Sequence, residues 1–418
     1  MQSPPLTLST LASMEDYDPN SMPVEQARLL IKKFLSPVTD SETIKVEKSL
    51  NRTLAANLFS PMNVPPHDYS SMDGYAVRSA DLGNSSVTLK QIGTSFAGNG
   101  FKGTVASGEC VRIMTGATLP VGSDSVVMQE QVKVDGDKIK FSLPCKIGQN
   151  IRLTGEDIQK GAVVLAQGQR ISSAEMGLLA SLGFAEISVF RKLKIAIFST
   201  GDELVQPGKA LAGGQIYDSN RFTLIGLLTE LGAEILDMGN IRDDKEAVRT
   251  ALQKASSQAD VIITSGGVSV GDADYIKELL DELGEVVFWK LAMKPGRPLA
   301  YGKVGHCHFF GLPGNPVAVM VTFLQFVRNA LWELMGQHPK PVFSFQAICT
   351  TPIKKAAGRT EFQRGILTQE DDGVWRVQTT GEQGSGILSS MSRANCFIVL
   401  PMEQGNLEQG SVVQIQLF

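Results

Sequence analysis

From residue 193 to residue 334, short apolar runs alternate with amphipathic stretches of helix length, and this alternation restricts the possible folds more than any other feature of the sequence. Short apolar runs predict buried strands, while apolar residues spaced three and four positions apart predict helices. Strands that alternate with helices form a parallel sheet covered by helices on both faces. The predicted strands are 193–198, 234–238, 261–264 and 307–310, and the predicted helices are 221–231, 245–256, 275–283 and 316–334.

The regions on either side of this segment carry different patterns. An apolar stripe predicts a helix at 24–35, and Ser172 with Glu175 forms a capping-box signature for a second helix. Between these helices the chain is rich in glycine and turn residues, with short alternating runs that predict a small β-rich domain. After residue 340 the helical period disappears, and short runs predict a β-barrel or a β-sandwich.

The composition excludes several classes of protein. A hydrophobic fraction of 43% and a charged fraction of 20% are those of a folded soluble protein, and a formal net charge of −4 argues against nucleic acid as the main partner. The 5 cysteines lie far apart, which is typical of reduced thiols rather than of disulfides or a zinc site. Residues 1–20 lack the pattern of a secretory signal, and no uninterrupted apolar stretch reaches membrane-spanning length. We therefore expect a cytoplasmic protein without nucleic-acid or membrane partners.

Three of the predicted strands run directly into stiff or glycine-rich turns. In a parallel sheet these strand ends lie at one edge, where ligands bind in such folds. Glycine lets the backbone approach a ligand, and amide groups at the start of the following helix favour a phosphate or another oxyanion. One such turn is equally consistent with tight packing alone, but three of them together favour a pocket. The turn residues predicted to bind are Thr200, Gly201, Ser265, Gly266, Gly267, Ser269, Pro313, Gly314, Asn315 and Pro316.

Charged residues of both signs accompany these turns. Glu203, Asp243 and Asp274 offer the hard oxygen ligands that magnesium requires beside phosphate groups. A segment constrained by proline and glycine offers three cations to a polyanion, and these are Lys290, Lys294 and Arg297. Each set also has a simpler explanation, because most surface acids and basic turns are only solvated. Their combination with the turns favours a magnesium-assisted site for a phosphate-bearing substrate.

Seven short motifs, which follow one another along the chain, are more specific than any of these features. They are Met-Asp-Gly-Tyr-Ala-Val at 72–77, Arg-Ile-Met-Thr-Gly-Ala at 112–117, Gly-Glu-Asp-Ile at 155–158, Ser-Thr-Gly-Asp-Glu-Leu at 199–204, Ser-Gly-Gly-Val-Ser-Val-Gly at 265–271, Lys-Pro-Gly-Arg-Pro at 294–298 and Gly-Leu-Pro-Gly-Asn-Pro at 311–316. With these motifs the chain closely resembles the MoeA family of molybdopterin molybdenumtransferases, which is related to the E domain of gephyrin. The resemblance extends from about residue 24 to residue 417.

This resemblance implies a multidomain α/β plus β protein. Its expected parts are an N-terminal tail (1–20), an elongated helical and β stalk in two segments (21–60 and 159–190), an inserted β-rich domain (61–158), an α/β molybdopterin-binding domain with a parallel sheet (191–337) and a C-terminal β-barrel (338–418). The resemblance also implies a homodimer. Each active cleft of the dimer would lie between the α/β domain of one subunit and the inserted domain of the other.

The resemblance further implies a reaction in which molybdate is inserted into adenylylated molybdopterin, AMP is released, and magnesium is required. The catalytic residues would be Asp73, Thr115, Asp157, Glu203, Asp243 and Asp274, with the last three as metal ligands. Positions that match the family's pterin-binding, oxyanion-binding and other functional residues are Ser269, Lys290, Lys294, Pro313, Pro316, Arg364 and Ser385. Arg297 stands where many relatives carry lysine, which keeps the charge but changes the hydrogen-bond geometry. Other cofactor-synthesis proteins and molybdoenzyme acceptors are candidate partners.

Two other functions fit parts of the sequence. An adenylyltransferase acting on molybdopterin would need the α/β domain alone, so the inserted β domain and the barrel argue against it. A scaffold that clusters a partner protein, as the E domain of gephyrin does, would bind a peptide without needing Asp73 for cofactor synthesis. ATP consumption without metal insertion would support the first alternative, and stoichiometric peptide binding the second.

Overall fold

The computed structural model describes residue 18 and residues 20–266, 274–338 and 342–418, and for 274–276 it describes the backbone alone. Within it the chain divides into two compact units. The larger unit comprises Met1–Thr43, Asn51–Ala55 and Ser188–Phe418, and the smaller unit comprises Ile44–Leu50 and Ala56–Ile187. The finer division into a stalk, an inserted domain, an α/β domain and a barrel stays a prediction.

The larger unit begins with an amphipathic helix. Helix α1 (Val24–Lys33) buries Ala27, Leu30 and Ile31 along one face. These positions are three and four residues apart, which aligns their side chains on one side of a helix. The predicted helix is confirmed, although it ends two residues earlier than predicted. Strand β1 (Ser41–Lys45) follows it.

The smaller unit is built mainly from strands, as its alternating sequence predicts. Its elements are β2 (Leu58–Phe59), β3 (Tyr69–Ser70), β4 (Gly74–Val77), β5 (Val87–Ser95), β6 (Glu109–Ile113), β7 (Ser125–Met128), β8 (Val132–Asp135), β9 (Lys138–Phe141), β10 (Ile151–Arg152), β11 (Val163–Leu165) and helix α2 (Ser173–Ser181). Six strands form a sheet in the order β7-β4-β6-β5-β9-β8, where β5 and β6 run parallel and the other neighbours antiparallel. Helix α2 has the predicted capping box, in which the Glu175 carboxylate accepts the Ser172 amide at 2.8 Å.

The larger unit contains the predicted α/β sheet. After β12 (Glu186–Phe190), its elements up to the last helix of this region are β13 (Lys194–Thr200), β14 (Leu204–Val205), β15 (Ile216–Tyr217), α3 (Ser219–Leu231), β16 (Glu234–Ile241), α4 (Lys245–Gln258), β17 (Val261–Ser265), α5 (Asp274–Leu283), β18 (Gly284–Lys290), β19 (Met293–Lys294), β20 (Pro298–Val304), β21 (Cys307–Leu312), α6 (Pro316–Thr322) and α7 (Arg328–Leu334). Strands β16, β13, β17 and β21 lie side by side and run parallel, which confirms the α/β fold class. Strands β20 and β18, which the sequence did not predict, extend the sheet in antiparallel orientation.

Both faces of this sheet are buried because each strand sends alternate side chains into two different cores. Along β13, Ile195 and Ile197 pack into an apolar cluster with residues of α3 and α6. Ala196 and Phe198 pack into a second cluster with residues of α4 and α5. A strand buried on both faces is apolar at every position, which explains why these runs are continuous in the sequence. The sheet therefore leaves its strand ends, rather than its faces, available for binding.

The helical segment after β21 is long and apolar. It consists of α6, a π-helical turn (Phe323–Val327) and α7. Pro316 fits the first helical position because its missing N–H would be unpaired there in any case. By length and composition this segment could cross a membrane, the one such helix in the part of the chain that the structure describes, but 72% of it is buried inside the protein. Buried core helices pass the same test, so the segment is weak evidence for a membrane span.

The C-terminal residues form a closed β-barrel. Its elements are β22 (Ser344–Cys349), β23 (Thr360–Gln369), β24 (Trp375–Thr379), helix α8 (Ser389–Arg393), β25 (Cys396–Leu400) and β26 (Val412–Leu417). The strands follow the order β23-β24-β22-β26-β25, and β25 pairs again with β23 to close the barrel. The interior is apolar, with Cys349, Val377, Ile398 and Ile415 buried in one cluster. Of the two architectures that the sequence left open, the barrel is confirmed.

A partly buried ion pair connects the start of the α/β sheet to β17. Arg191 donates to both carboxylate oxygens of Asp260, at 2.7 and 2.8 Å, and the amide of Lys194 donates to the same carboxylate at 2.8 Å. Burial alone would raise the pKa of Asp260, but these hydrogen bonds outweigh it and hold the pKa below its usual value. The carboxylate is therefore a stabilising anion at neutral pH.

We predict that Asp260→Asn lowers the free energy of unfolding by about 1–3 kcal/mol at pH 7, because it removes the charge from this pair. A carboxylate with a depressed pKa stabilises the fold above its unfolded-state pKa of about 3.9, and this contribution is lost as the pH falls through the folded-state value. The gap between the thermal unfolding midpoints of wild type and variant should therefore shrink below about pH 4. Glu246→Gln, which alters an exposed ion pair with Arg249 on helix α4, should change the midpoint little. A gap that stays constant as the pH falls would contradict this account.

Candidate functional site

A cavity of about 530 Å³ opens in the larger unit at the carboxyl ends of β13, β17 and β21. These strands are neighbours in the sheet, so the residues that follow them lie side by side. The three turns that the sequence predicted to form a pocket are thus brought together. Their residues in the cavity wall are Thr200, Gly201, Glu203, Gly266, Pro313, Gly314 and Asn315.

Two glycines in this wall are required by the backbone. Gly201 has φ +147° and Gly266 has φ +90°, and L-residues with a side chain rarely adopt either conformation. A Cβ atom at Gly266 would also lie 2.7 Å from the carbonyl oxygen of Thr200. The Thr200 hydroxyl beside it is buried and has no hydrogen-bond partner among the residues that the structure describes. The two turns therefore pack backbone against backbone, with one unused polar group at the cavity.

Two of the three predicted metal-binding carboxylates line the cavity. Glu203 and Asp243 are both exposed there, and the Asp243 amide donates to the Asp202 carboxylate at 3.4 Å. The third, Asp274, starts helix α5, but its side chain lies outside the described residues. Among the described side chains, no group of three histidine, cysteine or acidic residues is arranged to hold a metal ion by itself. Two carboxylates together with phosphate oxygens of a substrate would nevertheless suit magnesium.

Cations line the same cavity as these acids. Lys294 and Arg297, which the sequence predicted, line the cavity and are exposed. The Lys294 ammonium lies 3.6 Å from the carboxylate of Glu361, which is buried in the barrel and also accepts from the Gln363 amide at 2.9 Å. This contact tethers Lys294 at the cavity while leaving about half of its side chain (47%) exposed. The positive charge is therefore positioned by the fold and still accessible to an anion.

The barrel contributes a further part of the wall that the sequence only partly predicted. Ser385 was predicted, whereas Arg359, Gln383 and Gly384 were not. These residues lie 25 or more positions after the end of α7 at Leu334, and no short motif distinguishes Arg359 from other exposed arginines. Their place at the cavity follows from barrel closure, which sequence periodicity does not specify.

Three other predicted substrate-binding residues that the structure describes are not part of the cavity wall, and these are Ser265, Lys290 and Pro316. The Ser265 hydroxyl accepts a hydrogen bond from Asn220 at 2.8 Å, and the Lys290 carbonyl accepts the Met22 amide at 3.1 Å. Pro316 is the first residue of α6. Gly267 and Ser269 lie outside the described residues. Roles for these residues in binding stay predictions.

Arg364 is a buried residue of the barrel. Its guanidinium donates to the Ser390 hydroxyl at 2.9 Å and to the Gly384 carbonyl at 3.0 Å, and burial lowers its pKa to about 10. It therefore supports the segment that carries Ser385 to the cavity. The Ser385 carbonyl in turn accepts the Val317 amide of α6 at 3.0 Å.

The remaining predicted catalytic residues belong to the smaller unit. Asp73, just before β4, accepts hydrogen bonds from the amide of Thr115 at 2.7 Å and from its hydroxyl at 2.8 Å. The Thr115 amide contributes most to holding the pKa of Asp73 below its usual value, and the hydroxyl adds to it. The structure thus brings together two predicted residues that are 42 positions apart. Asp157 is exposed, and its amide donates to the Val64 carbonyl at 3.0 Å.

Comparisons with known proteins agree with this arrangement. Residues 22–183 match the family model of the MoeA N-terminal region (domain I and II), 196–333 match the probable molybdopterin binding domain, and 346–418 match the MoeA C-terminal region (domain IV). The molybdopterin molybdenumtransferase of Haemophilus influenzae is 48% identical over 94% of this chain and 98% of its own length. The Nostoc protein of the same name is 34% identical over 90% of this chain and 88% of its own. A crystal structure of the molybdopterin biosynthesis moeA protein from Pyrococcus horikoshii OT3 has a TM-score of 0.83 and 30% identity, and the match covers 96% of this chain and 100% of that one.

The α/β sheet carries the strand-end cavity and matches the model of a probable molybdopterin binding domain. This match places the chain in the class of proteins that contain such a domain. The regions on both sides of it make the assignment specific. The chain belongs to the MoeA family. The resemblance indicated by the seven sequence motifs is confirmed.

The close contact at Gly266 predicts a test of the cavity's backbone. Gly266→Ala would force a side chain into a left-handed conformation and against the Thr200 carbonyl, so we expect a loss of about 1–3 kcal/mol in the free energy of unfolding. Gly314→Ala is the matched control in the same wall, because nothing lies within 4 Å of a Cβ atom at Gly314. Thermal unfolding of both variants distinguishes them. Equal midpoints for the two variants would show that the Gly266 turn is not constrained as described.

Proposed function

We propose that this protein is a molybdopterin molybdenumtransferase that inserts molybdate into adenylylated molybdopterin and releases AMP. One observation carries the proposal: three neighbouring strand ends, two carboxylates and three cations line a single cavity in the larger unit. The substrates are anions with phosphate or oxyanion groups, and this combination of charges and backbone turns suits them. Family membership and the names of the relatives supply the identity of the pterin and the metal.

Within this proposal the cations bind the anionic groups of the substrates, and the turns orient those groups. Lys294, Arg297 and Arg359 neutralise the phosphate groups and molybdate, and the arginines do so through paired hydrogen bonds. The two turns at Gly201 and Gly266 bring backbone groups close to the ligand. The chain thereby holds the phosphoanhydride bond and the incoming molybdate together, so catalysis comes chiefly from positioning and charge stabilisation. We assign no covalent nucleophile to the protein.

Magnesium is part of the same proposal. Glu203 and Asp243 would hold it, since both carboxylates line the cavity, and Asp274 is the candidate for a third ligand. Magnesium characteristically combines one or two carboxylates with substrate phosphate oxygens. When bound, the ion supplies Lewis-acid polarisation of a phosphoryl oxygen. Within this set, Glu203 lies against the turn at Gly201, where a Cβ atom would lie 2.7 Å from its carboxylate.

A homodimer would explain why predicted catalytic residues occur in both units. In that arrangement the smaller unit of one subunit supplies Asp73, Thr115 and Asp157 to the cavity of the other. A cytoplasmic location belongs to the same proposal. It is supported by the five cysteines, all of which are free thiols, as a reducing compartment requires.

The direct test is AMP release from adenylylated molybdopterin with and without molybdate. We expect release to require molybdate and magnesium, and Glu203→Gln to reduce the rate by at least about tenfold because a ligand charge is lost. Glu234→Gln, an exposed position at the other end of the sheet, is the matched control and should retain activity. AMP release at the full rate without molybdate would contradict the proposed coupling of AMP release to molybdate insertion. Consumption of ATP with molybdopterin, without metal insertion, would indicate an adenylyltransferase instead.

The smaller unit offers its own matched pair of variants. We predict that Asp73→Asn reduces molybdate-dependent AMP release by at least about tenfold, the scale of a lost charged group in a site. Asp68 accepts the same two hydrogen bonds from Thr154, each at 2.7 Å, and was not predicted to be catalytic. Asp68→Asn should therefore cost similar local stability and leave turnover unchanged. If both variants lose activity equally, Asp73 has only a structural role.

A further inference from the structure

The amide of Asn220 links two turns of the cavity. Asn220 lies in the first turn of α3, and its Nδ2 donates to the Ser265 hydroxyl at 2.8 Å and to the Gly314 carbonyl at 2.7 Å. Ser265 is the last residue of β17, and Gly314 follows β21 in the cavity wall. Both N–H groups of one side chain are thus used, each on a different turn.

The start of α3 is itself hydrogen-bonded to β13, the remaining strand whose carboxyl end borders the cavity. Asp218, the N-cap residue, is 2% exposed and accepts the Ser199 hydroxyl of β13 at 3.1 Å and the Arg221 amide at 3.2 Å. The Arg221 guanidinium donates to the other oxygen of the same carboxylate at 3.1 Å. Because these contacts hold the helix start in place, Asn220 cannot follow a displaced turn. It connects the ends of β17 and β21 to a point anchored on β13.

The side chain at position 220 must donate hydrogen bonds to both Ser265 and Gly314. An asparagine amide has the length and the two N–H donors for this. Its Oδ1 atom is buried and accepts no hydrogen bond from any residue that the structure describes, so the two donated bonds determine how the side chain is held. Aspartate has the same shape but no donor, and it would turn a carboxylate oxygen toward the Gly314 carbonyl. Asparagine at this position is therefore explained by donation to the two turns.

We propose that Asn220 is a positioning residue for the proposed molybdate transfer, which sets the spacing of the Ser265 and Gly314 turns without contacting the substrates. The proposal rests on the proposed function of the same cavity. Misplacement of groups around a reacting centre by about 1 Å lowers rates by up to about 100-fold. Loss of the Asn220 contacts should therefore affect kcat more than KM.

The test compares Asn220→Asp with Asn395→Asp, both measured in the full-length protein. Asn395 is a matched control in the barrel, where its side chain exchanges hydrogen bonds of 2.8 and 2.9 Å with the backbone of Leu367. We expect Asn220→Asp to lower kcat for molybdate-dependent AMP release by about 10- to 100-fold with a smaller change in KM. Amide hydrogen exchange should become faster in both turns, at residues 265–266 and at residues 314–315. Asn395→Asp should speed exchange in the barrel alone and leave kcat unchanged.

Three outcomes would overturn the inference. One is an unchanged kcat in Asn220→Asp despite faster exchange, and another is a reduced kcat without faster exchange in both turns. The third is an equal loss of kcat in Asn395→Asp, which would indicate general destabilisation. Failure of the wild-type protein to release AMP would instead count against the proposed function. In that case the exchange measurement still decides whether Asn220 holds the two turns, and an unchanged rate would refute this.

Discussion

The parallel pairing of β13, β17 and β21 is the constraint on which the rest of the site depends. Ile197 is opposite Ile263, and Ile263 is opposite Phe310, so the three strands run in register toward the same edge. Neighbouring strands lie about 4.8 Å apart, which places three consecutive turns within about 10 Å of one another. A substrate with several anionic groups can therefore contact all three turns at once. The apolar cores on both faces of the sheet hold this register.

Polar side chains fix the turns that the sheet brings together. Asn240 at the end of β16 donates to the carbonyls of Gly201 and Leu204, at 3.1 and 3.2 Å, and thereby holds the turn that carries Glu203. Asn220 acts in the same way on the other two turns, so two asparagine amides secure the whole strand edge. The charged groups of the site can then be exposed, because contacts with neighbouring side chains such as Asn240 and Glu361, rather than ion pairs among themselves, position them. Different residues thus position the site and bind the ligand. This arrangement suits a cavity that must accept a highly charged ligand.

The sequence predicted much of this fold because its strongest patterns are local. Continuous apolar runs identified β13, β17 and β21, and the capping box identified α2. Strand β18 was missed because it follows helix α5 directly, at Gly284, without a recognisable turn. Strand β20 was missed because it needs an antiparallel partner at the sheet edge, and no parallel-sheet pattern specifies one.

The site was predictable where its residues belong to short motifs or match functional positions of the family. Lys294 and Arg297 could be found in this way, and the Thr115 and Asp73 pair became visible through family resemblance. Arg359 was not found because its place at the cavity depends on closure of the barrel against the α/β sheet. Asn220 resembles any polar residue in a first helical turn until its two acceptors are known. Long-range contacts of this kind are absent from the periodicity of a sequence.

The most direct test of the central claim is a crystal structure of the protein with AMP and molybdate, measured at the molybdenum absorption edge. The anomalous signal locates molybdenum independently of the protein phases. The account predicts a molybdenum peak in the cavity at the ends of β13, β17 and β21, within hydrogen-bonding reach of Lys294, Arg297 or Arg359. A molybdenum peak elsewhere, with this cavity empty, would contradict it.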